Sequence, residues 1–341
     1  MAVRVGINGF GRIGRSFTRA ILARGADAGV ELVAVNDPFG DSATMAFLLK
    51  HDSVGRTLSN DIVETGNGFS IDGNKVVKLE ARDPGEIAWA DNGVDIVIES
   101  TGLFTAREKA AGHLDGGAKR VIISGPSGDA DAMICYGVND DIFDPAQHTV
   151  ISNASCTTNC LAPLAKVLDD TFGIEQGVIT TVHAYTSDQQ LQDQAMASRS
   201  GKADLRRMRA AGLSIIPSST GAAKAIGEVL PHLKGKLDGL SMRVPVPTGS
   251  ITDLVAVVKG TPSAADVNAA FEAAAQAASY KGVLEYSDQP LVSADIVGNP
   301  SSSIFSAVDT MANGSMVKVL GWYDNEWGYS NRLVDLVNFV G

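Results

Sequence analysis

Cys156 is one of three cysteines, and in the run ISNASCTTNC it is surrounded by hydroxyl and amide side chains. It begins a helical pattern that continues through Leu168. There the helix dipole and free N–H groups stabilise a thiolate, which predicts a pKa below the usual value of about 8.5. An inert thiol belongs among aliphatics instead, and Cys135 in AMICYG reads as ordinary strand packing. Cys160 lies one helical turn beyond Cys156 on the same face, but nothing nearby supplies the further ligands that zinc would need, so no metal is expected. His183 closes the β-branched run VITTVHAYT, where an imidazole can serve as base or ion-pair partner for a thiolate. Arg243 in SMRVPVP is a charge within an apolar strand and needs a partner or an anionic ligand. Arg206, Arg207 and Arg209 in DLRRMRA read either as a solvated helix face or as part of the same anion site. Thr220 and Gly221 in PSSTGAAKA add hydroxyl and backbone donors at a helix start. His51, His113, His148 and His232 lie in surface-like segments and receive no role.

A second chemistry is written near the start. Gly9, Gly11 and Gly14 form G-x-G-x-x-G directly after the strand pattern Val3 to Asn8 and open a helical pattern carrying Ile13, Phe17 and Ile21. The first glycine permits the tight turn, the second lets a pyrophosphate approach the backbone, and the third allows close helix–strand packing. Asp37, at the end of a second strand over Glu31 to Val35, is placed to bind a ribose 2′-hydroxyl.

The elements that position these groups follow from the same patterning. At 341 residues the chain exceeds a usual domain of roughly 100–200 residues, which favours two domains. Strand patterns at Lys75 to Leu79, Val94 to Glu99 and Val121 to Ser124 complete a mostly parallel, doubly wound sheet. Beyond about Val150 longer strands are expected at Val178 to His183, Leu240 to Val246 and Thr252 to Lys259, a mixed, largely antiparallel sheet. A helix begins at Ser263 with Asp266 as a capping box, and places Val267, Phe271, Ala274 and Ala278 on one face. The fold class is therefore α/β: a Rossmann-type doubly wound sheet plus an α+β domain. The 45% apolar and 20% charged composition excludes global disorder, and the net charge of −11 offers no field to attract nucleic acid or an anionic membrane. No apolar run approaches the ~18 residues of a membrane span, and the few cysteines suggest a reducing compartment, so the chain reads as cytoplasmic.

GINGFGRIG, NASCTTNC, TTVHAYT, the DLRR segment, STGAAKA, MRVPVPTGS and GWYDNEWGYSNR, in this order from end to end, resemble phosphorylating glyceraldehyde-3-phosphate dehydrogenases. The resemblance implies an NAD-binding domain over 1–155, completed by a C-terminal helix over 325–341, and a catalytic domain over 156–324. It implies a cytoplasmic homotetramer of glycolysis that oxidises glyceraldehyde 3-phosphate with NAD and inorganic phosphate. Cys156 would be the nucleophile and His183 its activator. Thr186 and Arg243 would hold the substrate phosphate, and Ser155, Thr157, Thr220 and Gly221 the attacking phosphate, with Arg207 serving both. Phe10, Gly11, Arg12, Ile13, Asp37, Arg82, Ser124 and Asn325 would bind NAD, with Tyr329 behind Asn325, and Gly9 and Gly14 would shape the turn.

One departure from the family concerns the stretch SDQQLQDQAMASRSGKADLRR, which lacks the Leu-Pro pair of many NAD-preferring members and is several residues longer. Asp37 still argues for NAD, because a carboxylate there repels a 2′-phosphate. Two alternatives stand beside this reading: an erythrose-4-phosphate dehydrogenase using the same cysteine, histidine and cofactor, and a redox-sensing or binding protein on the same fold without turnover.

Overall fold

The computed structural model describes residues 2–195 and 204–341, and the chain divides into two compact units. The first comprises Met1–Ile134, Asp141–Ala154 and Ser330–Gly341, the second Cys135–Asp140 and Ser155–Tyr329.

In the first unit β1 (Val3–Asn8) passes through the glycine turn into α1 (Arg12–Arg24), and β2 (Val30–Asn36) returns parallel to β1. After α2 (Ser42–Lys50), the strands β3 (Ile62–Glu64), β4 (Gly68–Ile71) and β5 (Asn74–Leu79) form an antiparallel meander whose last strand joins β2 in parallel. The meander's first two strands, of three and four residues, are too short to be conspicuous in sequence. Then follow β6 (Ile96–Glu99), α3 (Arg107–Asp115), β7 (Arg120–Ile123), β8 (Ala132–Met133) and β9 (Val150–Ser152). Among the described residues the sheet has the order β3-β4-β5-β2-β1-β6-β7-β9-β8. The chain winds outward in both directions from β1, so the carboxyl ends of β1, β2 and β6 meet at a topological switch point, where such sheets bind ligands. Val5, Ile7, Leu32 to Val35 and Ile96 to Ile98 are all buried, the unbroken apolar runs of a sheet covered on both faces. Within this unit Arg24 binds Asp335 (2.5 Å) and Asn331 (3.0 Å), and Asn338 donates to the carbonyl of Ala28 (2.7 Å). The C-terminal helix, Trp327–Val340, is tied down by these contacts over its later turns.

The second unit begins with α4 (Cys156–Phe172) and β10 (Ile174–Ala184), followed by β11 (Ile216–Ser219), α5 (Ala222–Val229), β12 (Leu237–Val244), β13 (Ser250–Val258) and α6 (Ala264–Ala275). It ends with β14 (Leu284–Ser287), β15 (Ser303–Ser306), β16 (Met311–Asn313) and β17 (Met316–Tyr323). Among the described residues the order is β11-β12-β10-β13-β17-β15-β14, with β16 on β17. The β10–β12 and β14–β15 pairs are parallel and the others antiparallel. In β13 Ser250, Thr252, Leu254, Ala256 and Val258 face inward while alternate residues are partly exposed, the period expected of a sheet with helices on one side.

Four details differ from the sequence reading. The capping box at Ser263 and Asp266 is present, but α6 stops at Ala275 and Ala278 lies in a separate short turn. The chain directly past Phe271 offers only alanines, Glu272 and Gln276, and the next large buried side chain, Tyr280, belongs to the separate short turn. Cys135 is not in a strand: it follows β8, and its N–H donates to Asn139 Oδ1 (2.8 Å) in a turn. The Asp204–Ala210 segment is a series of turns rather than a helix. His113, assigned to a surface segment, is fully buried, because the face of α3 that carries it packs over Trp89 and the end of β6. Of the altered stretch between Ser187 and Arg207, residues 196–203 lie outside the described residues.

Candidate active site

Cys156 is the first residue of α4. Two residues before it, Ala154 takes a left-handed φ of +53°, a conformation costing a non-glycine residue on the order of 1 kcal/mol or more. Ser155 then caps the helix, its Oγ accepting from Thr158 N (3.0 Å) and pairing with Thr158 Oγ1 (2.7 Å). Cys156 Sγ lies 3.4 Å from Nε2 of His183 near the end of β10.

The partner of His183 is set by sheet register. On the parallel strand β12 the residue opposite His183 is Arg243. Arg243 Nη1 reaches His183 Nδ1 (2.9 Å), the Ala184 carbonyl (3.1 Å) and Thr186 Oγ1 (3.0 Å). His183 Nδ1 is also 2.7 Å from the Ala184 carbonyl, so the ring has two usable tautomers. With the proton on Nδ1 donating to Ala184, Nε2 is free to accept the thiol proton. With the proton on Nε2, Nδ1 accepts from Arg243 and Nε2–H can donate to a thiolate or an oxyanion.

Burial pushes His183 down to about 3, and the neighbouring Arg243 adds to that effect. Burial also pushes the Cys156 thiol up, while Arg243 and hydrogen bonds with Thr157 pull against it, and the net direction is upward. This corrects the expectation of a lowered thiol pKa: loss of solvent outweighs the charges that favour the thiolate. The 3.4 Å approach places Sγ and Nε2 for transfer of the thiol proton to the imidazole. Sequence reasoning did not single out Tyr323 on β17. Its ring packs edge-on to His183 (centroids 5.9 Å), and its hydroxyl bonds Thr181 (2.8 Å) and Thr157 (2.9 Å). Cys160 is fully buried against Ser303 and the Gly321 carbonyl, both at 3.4 Å, and burial pushes its thiol up to about 12, the profile of an inert thiol.

The polar groups around this pair form a basic cluster. Asp188 accepts from both Thr186 Oγ1 and Arg207 Nη1, and Arg207 Nη2 donates to the Ser219 carbonyl (3.3 Å). Asp188 thus links Thr186, Arg207 and, through Thr186, Arg243. It was not foreseen, and the only cue is its position two residues after Thr186. Ser155, Thr157, Thr220 and Gly221 are less convergent: the Thr157 hydroxyl is turned to Tyr323, and Thr220 Oγ1 accepts from Ala222 N (3.2 Å). Gly221 caps α5 with open space where a Cβ would stand.

In the first unit the glycine turn has the shape a dinucleotide needs. Gly9 has φ +90°, and a Cβ there would lie 2.7 Å from Thr101 N, while one on Gly14 would lie 2.5 Å from the Gly9 carbonyl. A Cβ on Gly11 would meet nothing within 4 Å, which leaves the N-terminus of α1 open to an anion. Asp37 accepts from Phe10 N (2.9 Å) and Phe39 N (2.9 Å), which fixes its carboxylate beside the turn. Phe10 is buried against Phe69, Ile13 lies in the first turn of α1, and Arg12 pairs with Asp52. Arg82 is exposed beyond β5, over the Phe39 ring (5.9 Å), and Ser124 directly follows β7, its N–H on the Glu99 carbonyl (2.9 Å). These residues fit an NAD site. Asn325 and Tyr329 belong instead to the second unit, both nearly buried, and Asn325 Oδ1 accepts from Ser250 Oγ (2.9 Å), which itself accepts from Ala184 N (3.0 Å).

Residues 3–107 match the family model "Glyceraldehyde 3-phosphate dehydrogenase, NAD binding domain", and residues 155–325 match "Glyceraldehyde 3-phosphate dehydrogenase, C-terminal domain". Among similar curated proteins, the glyceraldehyde-3-phosphate dehydrogenase of Mycobacterium avium is 58% identical over 345 residues, covering 100% of this chain and 99% of the relative. Glyceraldehyde-3-phosphate dehydrogenase 2 of Streptomyces avermitilis is 56% identical over 342 residues with the same coverage.

Proposed function

The chain belongs to the glyceraldehyde-3-phosphate dehydrogenase family, and from that premise we propose that it oxidises glyceraldehyde 3-phosphate to 1,3-bisphosphoglycerate in glycolysis, with Cys156 as the nucleophile and His183 as its acid and base. The single observation that carries the assignment of roles is the Cys156 Sγ to His183 Nε2 approach of 3.4 Å beside Arg243 and Thr186.

The Cys156 thiol passes its proton to His183 Nε2, and the thiolate adds to the aldehyde carbon. His183 returns the proton to the new oxyanion, giving a hemithioacetal. NAD, when bound, supplies the hydride acceptor for that carbon. As the carbonyl reforms, His183 takes the hydroxyl proton, leaving a thioester on Cys156. A phosphate oxygen then attacks the thioester carbon, the C–S bond breaks, and the thiolate returns with the acyl phosphate as product. Gly9, Phe10, Gly11, Arg12, Ile13, Gly14, Asp37, Arg82 and Ser124 would hold the cofactor in the first unit, and the family resemblance adds Asn325 and Tyr329 to the assigned cofactor residues. Thr186, Arg207 and Arg243 take the substrate phosphate, displacing the Asp188 carboxylate from donors it shares. Ser155, Thr157, Thr220 and Gly221, with Arg207, take the attacking phosphate, which requires the Thr157 hydroxyl to leave Tyr323. We assign the NAD-binding domain to 1–155 with 325–341 and the catalytic domain to 156–324; the two compact units follow this division over most of the chain but group 135–140, 155 and 325–329 with the second unit.

The protein works as a cytoplasmic homotetramer. Assembly is supported by the outer face of the second sheet, where Val178, Val182, Leu240 and Met316 are exposed apolar side chains. Among the described residues no helix is long and apolar enough to cross a membrane.

The phosphate assignment is tested by Arg243→Leu. Because Arg243 also touches His183 and Ala184, turnover of every substrate will fall. A charged hydrogen bond is worth about 1.5–3 kcal/mol, so kcat/KM for glyceraldehyde 3-phosphate should fall a further ~10- to 150-fold relative to unphosphorylated glyceraldehyde. Equal losses for the two substrates would make Arg243 a support for His183 alone.

A further inference from the structure

The turn residues assigned to the cofactor hang from a buried polar chain. Glu99, the last residue of β6, is 1% exposed, and its four hydrogen-bond partners all act as donors. Asn8 Nδ2 (2.6 Å) and His113 Nε2 (3.0 Å) meet Oε2, while Thr101 N (2.8 Å) and Thr101 Oγ1 meet Oε1. The His113 tautomer is fixed because Trp89 Nε1–H donates to Nδ1 (3.1 Å), so Nε2 carries the proton that faces Glu99. The Thr101 hydroxyl is equally committed, since it accepts from Leu103 N (3.0 Å) and therefore points its own proton at Glu99. From Asn8 the chain continues: Asn36 Nδ2 donates to Asn8 Oδ1 (2.8 Å) and to the Ala81 carbonyl (2.9 Å). Asn8, Asn36 and Ala81 each immediately precede an assigned cofactor residue, respectively Gly9, Asp37 and Arg82. Thr101 backs the Gly9 turn from the fourth side.

We propose that Glu99 is a positioning residue for the dinucleotide site, orienting the Asn8 and Asn36 amides so that the ends of β1, β2, β5 and β6 are locked in one arrangement. This rests on the cofactor reading given above. The direction of every bond follows from the carboxylate at one end. A glutamine at position 99 would set an NH2 group against donors on whichever side it faced. His113 cannot supply an acceptor without losing Trp89. Asn8 can do so only by flipping, which turns its NH2 toward the NH2 of Asn36. Asn36 must flip in turn and lose Ala81. With the NH2 on the Asn8 side the disturbance therefore arrives at Asp37 and Arg82, which Glu99 does not touch; with it on the Thr101 side it falls on the backbone behind Gly9.

The test is isothermal titration of NAD into the full-length assembled protein, with initial-rate kinetics, for wild type, Glu99→Gln, Asn36→Ala, their double variant and Asp37→Ala. Glu99→Gln should weaken NAD binding about tenfold or more, the scale of a lost charged hydrogen bond. It should raise KM for NAD while leaving kcat at saturating NAD and KM for glyceraldehyde 3-phosphate near wild type. Asn36→Ala should weaken NAD binding in the same way, and the double variant should be little worse than the worse single variant, because both cut one chain. If Glu99→Gln does not fold, Asn36→Ala alone decides by the same KM and kcat split. The proposal is overturned if Asp37→Ala loses NAD affinity while Glu99→Gln and Asn36→Ala keep it, even with a lowered melting temperature. It is also overturned if all kinetic constants decline together. If Asp37→Ala binds NAD as wild type does, the fault lies in the cofactor reading itself.

Discussion

Replacing Cys156 with serine is expected to abolish oxidation, lowering kcat by at least about 10⁴-fold, as seen when a covalent nucleophile is removed from a cooperating group, while NAD binding persists. The serine hydroxyl is far less acidic than the thiol, so a proton transfer to His183 that serves the thiol yields far less alkoxide. An oxygen ester would also be a poorer acyl donor to phosphate than the thioester. The first-unit residues assigned to the cofactor are unaffected by the change, so titration of NAD should return wild-type affinity. Substantial turnover by the serine variant would remove Cys156 from the mechanism, because Cys160 is buried and bonded within the core and cannot replace it.

His183→Asn should lower kcat by about 10²- to 10⁴-fold, the usual worth of a positioned general acid and base. The pH dependence of Cys156 alkylation gives a second reading with a definite sign. Burial raises the thiol, so reactivity increases as pH rises through its titration. The Nε2–H of His183, available when Nδ1 accepts from Arg243, donates to the thiolate and favours it. Losing that donor leaves burial opposed by Arg243 and the Thr157 contacts alone. The midpoint should therefore move upward, by about one pH unit for a loss near 1.4 kcal/mol. Iodoacetamide kinetics across pH on both proteins measures this, and an unchanged midpoint would mean that the N-terminus of α4 and Arg243 hold the thiolate without His183.

The parts legible in sequence were those whose chemistry is local. G-x-G-x-x-G between a strand and a helix requires Gly9 and Gly14 where any Cβ would collide with backbone, and that constraint is written in three residues. Cys156 could be read because a helix start and its cap lie beside it. His183 could be flagged but not explained, since its pairing with Arg243 depends on parallel register between strands whose partners are 60 residues apart. Asp188 and Tyr323 escaped for the same reason: each is unremarkable in its own segment and acquires meaning from partners on other elements. The direction of the Cys156 shift was misjudged because a helix dipole is evident in sequence and the extent of desolvation is not. His113 was misplaced because its polar neighbours in the chain say nothing of the face of α3 it occupies. The left-handed backbone at Ala154 has no sequence mark at all, since alanine avoids that conformation.

Oxidation leaves an acyl group on Cys156 that only phosphate efficiently removes. The direct measurement is the time course of NADH absorbance with glyceraldehyde 3-phosphate and NAD, with and without inorganic phosphate. With phosphate, NADH should form through many turnovers. Without it, a burst no larger than the concentration of Cys156 should be followed by a much slower phase, as the thioester accumulates. Sustained NADH formation at the same rate in both conditions, or a chain that forms no NADH in either, would rule out a phosphate-cleaved thioester on Cys156.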